Sequence, residues 1–180
     1  MKLTKGVLTI IYALLIIIPV VAIFFATFKS NAEMYQDVLG LPGSFDFVNY
    51  ITMFAEESMS TYFWNSVIVT LFAVSMTLFF SSLIAFAITR MSGWPGRILF
   101  GLFTLGMMVP AQVNMIPLYQ LVFDLGLTNS LTGLILVNTA VTTPVAVFIL
   151  TGFMKSLPSS LFEASRIDGA SNWQMYAKVA

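Results

Sequence analysis

Uncharged polar side chains set inside long apolar runs are the groups of this chain best suited to chemistry. Gln112 and Asn114 lie between Pro110 and Pro117, with Tyr119 just beyond, in the run Met108-Val-Pro-Ala-Gln-Val-Asn-Met-Ile-Pro-Leu-Tyr119. Asn138, Thr139, Thr142 and Thr143 cluster just ahead of Pro144. Amides and hydroxyls both donate and accept hydrogen bonds, so such a set can pass an uncharged, hydroxyl-rich solute through apolar surroundings. The same groups can also bond neighbouring helices together, at about 0.6 kcal/mol per pair, and spacing alone leans toward that second role. Each proline removes a helical hydrogen bond and crowds the preceding turn. A broken membrane helix is tolerated only where protein or a water-filled cavity meets the freed carbonyls. Gly101, Gly106 and Gly133 read as close-packing positions rather than ligand contacts.

Other chemistries are excluded by what the chain lacks. It has no His and no Cys, which removes disulfides, Cys/His zinc sites, Ser-His and Cys-His catalysis, and haem ligation through His. No Asp, Glu, Lys or Arg falls within the apolar runs, so there is no intramembrane proton relay and no voltage-sensing arginine. The formal net charge of zero excludes a basic nucleic-acid-binding face. No catalytic residue, metal or cofactor is expected. If a solute moves against a gradient here, the energy comes from a partner or from further sequence.

A second constellation follows Lys155. Ser160 and Glu163 have the spacing of a capping box, in which each side chain satisfies the other residue's backbone amide. Leu161, Ala164 and Ile167 recur at three-residue spacing beside Phe162, giving one apolar face opposite Arg166. Asp168-Gly169-Ala170 interrupts this pattern, with Gly169 suited to a left-handed C-cap. Ser171 and Gln174 form a second capping box, ahead of Trp173, Tyr176 and Ala177. Two short helices joined by a sharp turn are predicted. Such a unit serves either as a hairpin or plain loop lying on lipid, or as a docking element for a groove on a soluble partner.

The elements that must position these groups follow from composition. Of 180 residues 58% are hydrophobic and 9% charged, against about 25% charged in soluble domains. Crossing a bilayer takes about 20 apolar helical residues. Four uncharged stretches meet that length: 7–28, 65–89, 98–123 and 131–154. The first is too long for a signal-peptide core, and residues 24–28 lack a small-x-small cleavage site, so it is read as a retained anchor. Basic residues mark the cytoplasmic side. With the N-terminus inside, every Lys and Arg except Lys29 falls on that side, while segment 30–64 holds Glu33, Asp37, Asp46, Glu56 and Glu57 outside. Tyr62, Phe63 and Trp64 fit an interfacial aromatic belt. The chain reads as an all-α integral membrane protein: four transmembrane helices, an extracytoplasmic segment at 30–64, and a cytoplasmic helix-turn-helix at 155–180.

Glu163-Ala164-Ser165-Arg166-Ile167-Asp168-Gly169-Ala170, with Val179 further on, resembles the EAA loop of permease subunits in binding-protein-dependent ABC importers. Glu163, Ala164 and Gly169 match that pattern, Ser165 replaces a second Ala, and Val179 stands where the family has Ile. Asn49-Tyr50, Asn65-Ser66, Ala85-Phe-Ala-Ile-Thr-Arg90, Val109-Pro-Ala-Gln112, Ile116-Pro-Leu-Tyr119, Leu125-Gly-Leu-Thr-Asn-Ser130 and Gly152-Phe-Met-Lys-Ser-Leu-Pro158 are similar to the carbohydrate-uptake branch, above all to the maltose- and glycerol-3-phosphate-type second permease. The resemblance implies six spans, of which this single partial permease domain, 1–180, would hold four and stop within the loop. It implies a bacterial or archaeal cell membrane and alternating access driven by a partner. The implied partners are a second permease subunit, a dimer of cytoplasmic ATP-binding subunits and an extracytoplasmic solute-binding protein, besides membrane lipid. By the same resemblance Glu163, Ala164, Ser165, Asp168, Gly169 and Ala170 form the loop that docks on the ATPase. Gln112, Asn114, Tyr119, Asn138, Thr139 and Thr142 are the candidate path. A permease for another solute, such as a polyamine or amino acid, and a non-transporting structural membrane protein remain the other readings.

Overall fold

The computed structural model describes residues 2–56 and 58–179; Glu57, counted above among the acidic residues of segment 30–64, and Ala180 at the chain end lie outside them. Among the described residues all regular structure is helical: α1 (Lys2–Ala26), α2 (Asn31–Gln36), α3 (Val48–Ala55), α4 (Met59–Arg90), α5 (Trp94–Met108), α6 (Ala111–Asp124), α7 (Leu131–Ser156), α8 (Ser159–Ile167) and α9 (Asn172–Val179). Within these, Thr4–Ala26, Met59–Arg90 and Leu131–Ser156 are each long and apolar enough to cross a membrane; α5 and α6 together make a fourth candidate, bent by 102° at the break between them. Along α1, large apolar side chains face outward on every side, with Tyr12, Leu15 and Ile23 each more than two-thirds exposed. A helix apolar around its whole circumference needs lipid or protein around it.

The expected third span is thus two helices. Val109 is extended (φ −78°, ψ 118°), and so is Pro110 (φ −60°, ψ 132°). Pro110 lacks the amide that would continue α5, and its ring forces the residue before it out of the helical region. Pro117, expected to flank the polar pair with a second break, lies inside α6 without ending it. Pro19 and Pro144 are likewise carried inside α1 and α7.

The chain forms two compact units, 1–63 and 64–180. In the first, the residues after α1 fold back on that helix's own end. The carbonyls at a helix C-terminus lack helical partners. The Asn49 side-chain amide donates to the Thr27 and Lys29 carbonyls at 2.9 Å each, and the Tyr50 hydroxyl donates to Thr27 Oγ1 at 2.8 Å. Phe28 is buried, its ring 5.3 Å from Phe45, 5.4 Å from Phe47 and 5.7 Å from Tyr50 between centroids. The buried Lys29 ammonium donates to the Asp37 carbonyl at 2.6 Å. Ser30 and Glu33 start α2 with a reciprocal capping box.

In the second unit, α5 packs along α7, where the Phe100 and Phe148 rings stack 5.9 Å apart. The buried face of α4 is a stripe of Ala73, Thr77, Ser81, Ala85 and Ile88, spaced at helical intervals and mostly small enough for close approach. Gly133 is a true close-packing position: a Cβ there would lie 2.3 Å from the Leu127 carbonyl oxygen. A Cβ at Gly106 would touch the Pro144 ring at 3.6 Å, whereas a Cβ at Gly101 would meet nothing within 4 Å beyond its own helix among the described residues, so close packing does not call for a glycine there.

Candidate functional site

The structure distributes the polar positions of the apolar runs over separate places. Gln112 and Asn114 are exposed on the first turn of α6, just past the break, and do not line the cavities that hold Tyr119, Asn138 and Thr142. Tyr119, further along α6, lines a cavity of about 620 Å³ together with Asn65, Thr128, Asn129 and Ser130, over a floor of apolar residues from α6 and α7. Asn138 and Thr142 of α7 face Thr70 and Thr77 of α4 across a smaller cavity of about 300 Å³. Thr139 is buried, and its hydroxyl donates to the Ile135 carbonyl at 2.8 Å.

Within the smaller cavity the hydroxyls bond to neighbouring helical groups while still lining open space. The Thr77 and Thr142 hydroxyls lie 3.0 Å apart and join α4 to α7. Thr142 is also 2.7 Å from the Asn138 carbonyl, and the Asn138 amide donates to the Leu134 carbonyl at 2.8 Å. An Asn side chain carries two N–H donors and an acceptor oxygen, so this last bond uses only part of its capacity. Uncharged residues line both cavities, which suits hydroxyl-bearing ligands and offers no counter-charge to an ionic one.

The residues after Lys155 form the predicted helix-turn-helix, with one corrected start. Pro158, not Ser160, is the N-cap of α8, and no side chain caps that end. The proline holds Leu157 extended (φ −71°, ψ 134°), so helical geometry begins at Ser159 and Ser160 already sits inside it. Glu163 is therefore not engaged as a cap and stands exposed on α8. At the other end Gly169 has φ +78°. Its amide donates to the Arg166 carbonyl at 3.1 Å and the Ala170 amide to the Ser165 carbonyl at 2.9 Å, the paired bonds of a Schellman turn. The second capping box forms as expected: Ser171 N donates to Gln174 Oε1 at 2.8 Å, and Gln174 N to Ser171 Oγ at 3.3 Å.

This hairpin is seated by residues outside the repeat of apolar positions. Phe162 and Met175 are 3% and 2% exposed, packed with Ala85 and Phe86 of α4 and Met154 of α7. The Tyr176 hydroxyl meets Ser82 of α4 at 2.6 Å. Leu161 and Ile167, in contrast, are 48% and 87% exposed, with Ala164, Glu163, Asp168 and Gly169 also at the surface. Phe162 anchors α8, and the periodic apolar face points away from the body of the second unit.

Five participants escaped sequence reasoning. Thr70 and Thr77 lie in a stretch, 65–89, whose Asn, Ser and Thr residues are spread along its length with no proline to single any of them out; their signal is the seven-residue spacing on the small-residue face of α4. Arg90, read as a flank that ends a span, also stacks its guanidinium on Phe162, with Cζ 3.6 Å from the ring centroid. Asn49 and Tyr50, quoted above only for their resemblance, close the end of α1.

Residues 77–180 match the family model described as the binding-protein-dependent transport system inner membrane component. The diacetylchitobiose uptake system permease protein of Streptomyces coelicolor is 31% identical over 173 residues, covering 96% of this chain and 57% of that protein. A probable starch degradation products transport system permease protein of Thermoanaerobacterium thermosulfurigenes is 35% identical over 171 residues, covering 94% of this chain and 61% of its own length. The multiple sugar-binding transport system permease protein of Streptococcus mutans is 34% identical over 178 residues, covering 97% and 64%. The chain therefore spans between 57% and 64% of the length of these curated relatives.

Proposed function

The chain belongs to the binding-protein-dependent transport system inner membrane component family, and on that premise we propose that it acts as a permease subunit of an ABC importer for a sugar or sugar derivative. It is a multi-pass protein of the cell membrane, oriented in this reading with its N-terminus in the cytoplasm. The observation that carries the proposal is the similarity, over 94% to 97% of the chain, to three relatives whose names all concern saccharide uptake or transport. The uncharged lining of both cavities supports it. A polyamine would call for carboxylates, and those cavities hold none.

In this mechanism a second permease subunit completes the path, an extracytoplasmic binding protein delivers the solute, and a dimer of ATP-binding subunits supplies the energy. The exposed face of α8, Leu161, Ala164 and Ile167 with Glu163 and Asp168 beside it, seats in a groove on the ATPase. The turn of Ser165, Gly169 and Ala170 sets the angle at which α9 leaves. Asn138, Thr142 and Tyr119 offer hydroxyl and amide partners to the passing sugar. Thr139 supports α7 from within, and Gln112 and Asn114 stand at the break between α5 and α6. Alternating access then amounts to a change in packing between α4, α5 and α7, driven from the hairpin.

The test is uptake by the intact protein, co-expressed with its neighbouring transporter subunits and placed in vesicles with the binding protein. Radiolabelled oligosaccharides, a polyamine and an amino acid are offered with and without internal ATP. ATP-dependent accumulation of an oligosaccharide supports the assignment. Accumulation of the polyamine or amino acid alone moves the protein to another solute class. Recovery of the solubilised protein with no ATPase and no second permease would remove it from importers altogether.

A further inference from the structure

Arg90 is the last residue of α4, and what holds its charge is unusual. The guanidinium carbon lies 3.6 Å from the centroid of the Phe162 ring and 5.9 Å from that of Phe86. The Arg90 Nε is buried and has no hydrogen-bond partner among the described residues. A cation over an aromatic face is attracted by the ring's quadrupole, and the more so when water is excluded. Phe162, at 3% exposure, is the residue that anchors α8. The charge at the end of α4 is thus held by the anchor of the hairpin.

A second tie joins α4 to α9, through Ser82 and Tyr176 at 2.6 Å. Ser82 and Arg90 are eight residues apart, about 12 Å along a helix. Two ties that far apart fix direction as well as position, whereas Ala85, Met154 and Met175 alone would offer an apolar wall along which α8 could slide. Further along the same helix stands Thr77, bonded to Thr142 across the smaller cavity. We infer that Arg90 is a positioning residue: by clamping Phe162 it makes α8 and α4 move as one body, so that displacement of the hairpin reaches the Thr77–Thr142 contact. This rests on the transport reading of the hairpin given above.

Two measurements test it, one of them independent of transport. In the intact protein in lipid nanodiscs, hydrogen exchange of the α8 amides is followed in wild type and in R90Q, R90K, F162L and R90Q/F162L. Exchange should quicken at least tenfold in R90Q and in F162L, and the double variant should be no faster than either single one. R90K, which keeps a cation over the ring, should lie closer to wild type. Unchanged exchange in R90Q, or losses that multiply in the double variant, overturn the clamp. If R90Q loosens α7 as well, the pair R90K and F162L carries the comparison, and equal exchange in those two overturns it.

The second measurement is sugar imported per ATP hydrolysed in vesicles. R90Q should lower this ratio at least fivefold, with R90K within twofold of wild type. A wild-type ratio in an R90Q protein whose α8 has loosened overturns transmission through Arg90. A wild-type protein that imports no sugar at all would instead defeat the transport reading, and the exchange result would stand apart from it.

Discussion

Thr151 is fully buried on α7, and its hydroxyl meets no hydrogen-bond partner among the described residues. An unmet buried hydroxyl carries its desolvation cost with no return, and replacing it with a methyl group relieves that cost. Thr151→Val should therefore stabilise the protein by about 1 kcal/mol, seen as a higher thermal midpoint in detergent; a lower midpoint would mean that the hydroxyl is bonded after all. Glu33 is the opposite case, a half-buried carboxylate with several partners. Its oxygens accept from the Ser30 amide at 3.0 Å and the Gly43 amide at 3.2 Å. Foremost the Ser30 amide, and with it the Gly43 amide, hold its pKa below the usual carboxylate value. A group whose folded pKa is depressed contributes stability above its unfolded pKa and loses it as pH falls through the folded one. The loop from Asp37 to Gly43 should accordingly be tied to α2 at neutral pH and released in acid. Gly43 amide protection should drop below the ordinary Glu range in wild type, and Glu33→Gln should remove most of that dependence.

At the scale of elements, local rules settled the turns and long-range contacts settled the faces. The break between α5 and α6 follows from Pro110 alone, through its missing amide and its effect on Val109. Pro117 obeys the same rule less severely, since α6 continues through it. The start of α8 follows from Pro158, which takes the cap position two residues earlier than the Ser160 of the capping-box pattern. The end of α8 was readable in advance, because a left-handed residue is needed there and glycine adopts that conformation without strain. Nothing lies within 4 Å of a Cβ built on Gly169, so a substitution there meets backbone strain and no clash. Gly169→Val should cost about 1 kcal/mol or more from the left-handed conformation alone. It should impair ATPase copurification and sugar uptake while leaving membrane insertion intact. Unaltered uptake in that variant would show that the turn's geometry does not matter to docking.

For the molecule as a whole, the distribution of charge makes a topological prediction. With no native cysteine, single substitutions report sidedness without background. Ser44 and Ser92 are both exposed. Cys at position 44 should react with an impermeant thiol reagent on intact cells, and Cys at position 92 only after permeabilisation. The reverse pattern would invert the orientation proposed from Lys and Arg. The same scale shows how far the site was legible. Four apolar stretches, a broken third one and a closing helix-turn-helix could be read from hydropathy, prolines and caps, because each depends on residues close in sequence. The grouping of the polar residues could not: Tyr119 faces one cavity, Asn138 and Thr142 face another with Thr70 and Thr77, and Gln112 and Asn114 face neither.

By itself, then, the sequence determined the solvent and the punctuation. Sixteen charges among 180 residues, 8 basic and 8 acidic, leave no way to clothe the helices in water, and Pro110, Pro158 and Gly169 dictate local backbone wherever they stand. Only the tertiary structure decided which face of each helix is covered. On α8 the regular series of Leu161, Ala164 and Ile167 had the stronger apolar pattern, yet Phe162 is the side chain that is buried. The reason is physical: its partners, Ala85, Phe86, Met154 and Met175, come from three other helices, and Arg90 adds its charge to the ring. Burial is settled by what the rest of the chain brings within reach, and periodicity along one short helix carries no record of that.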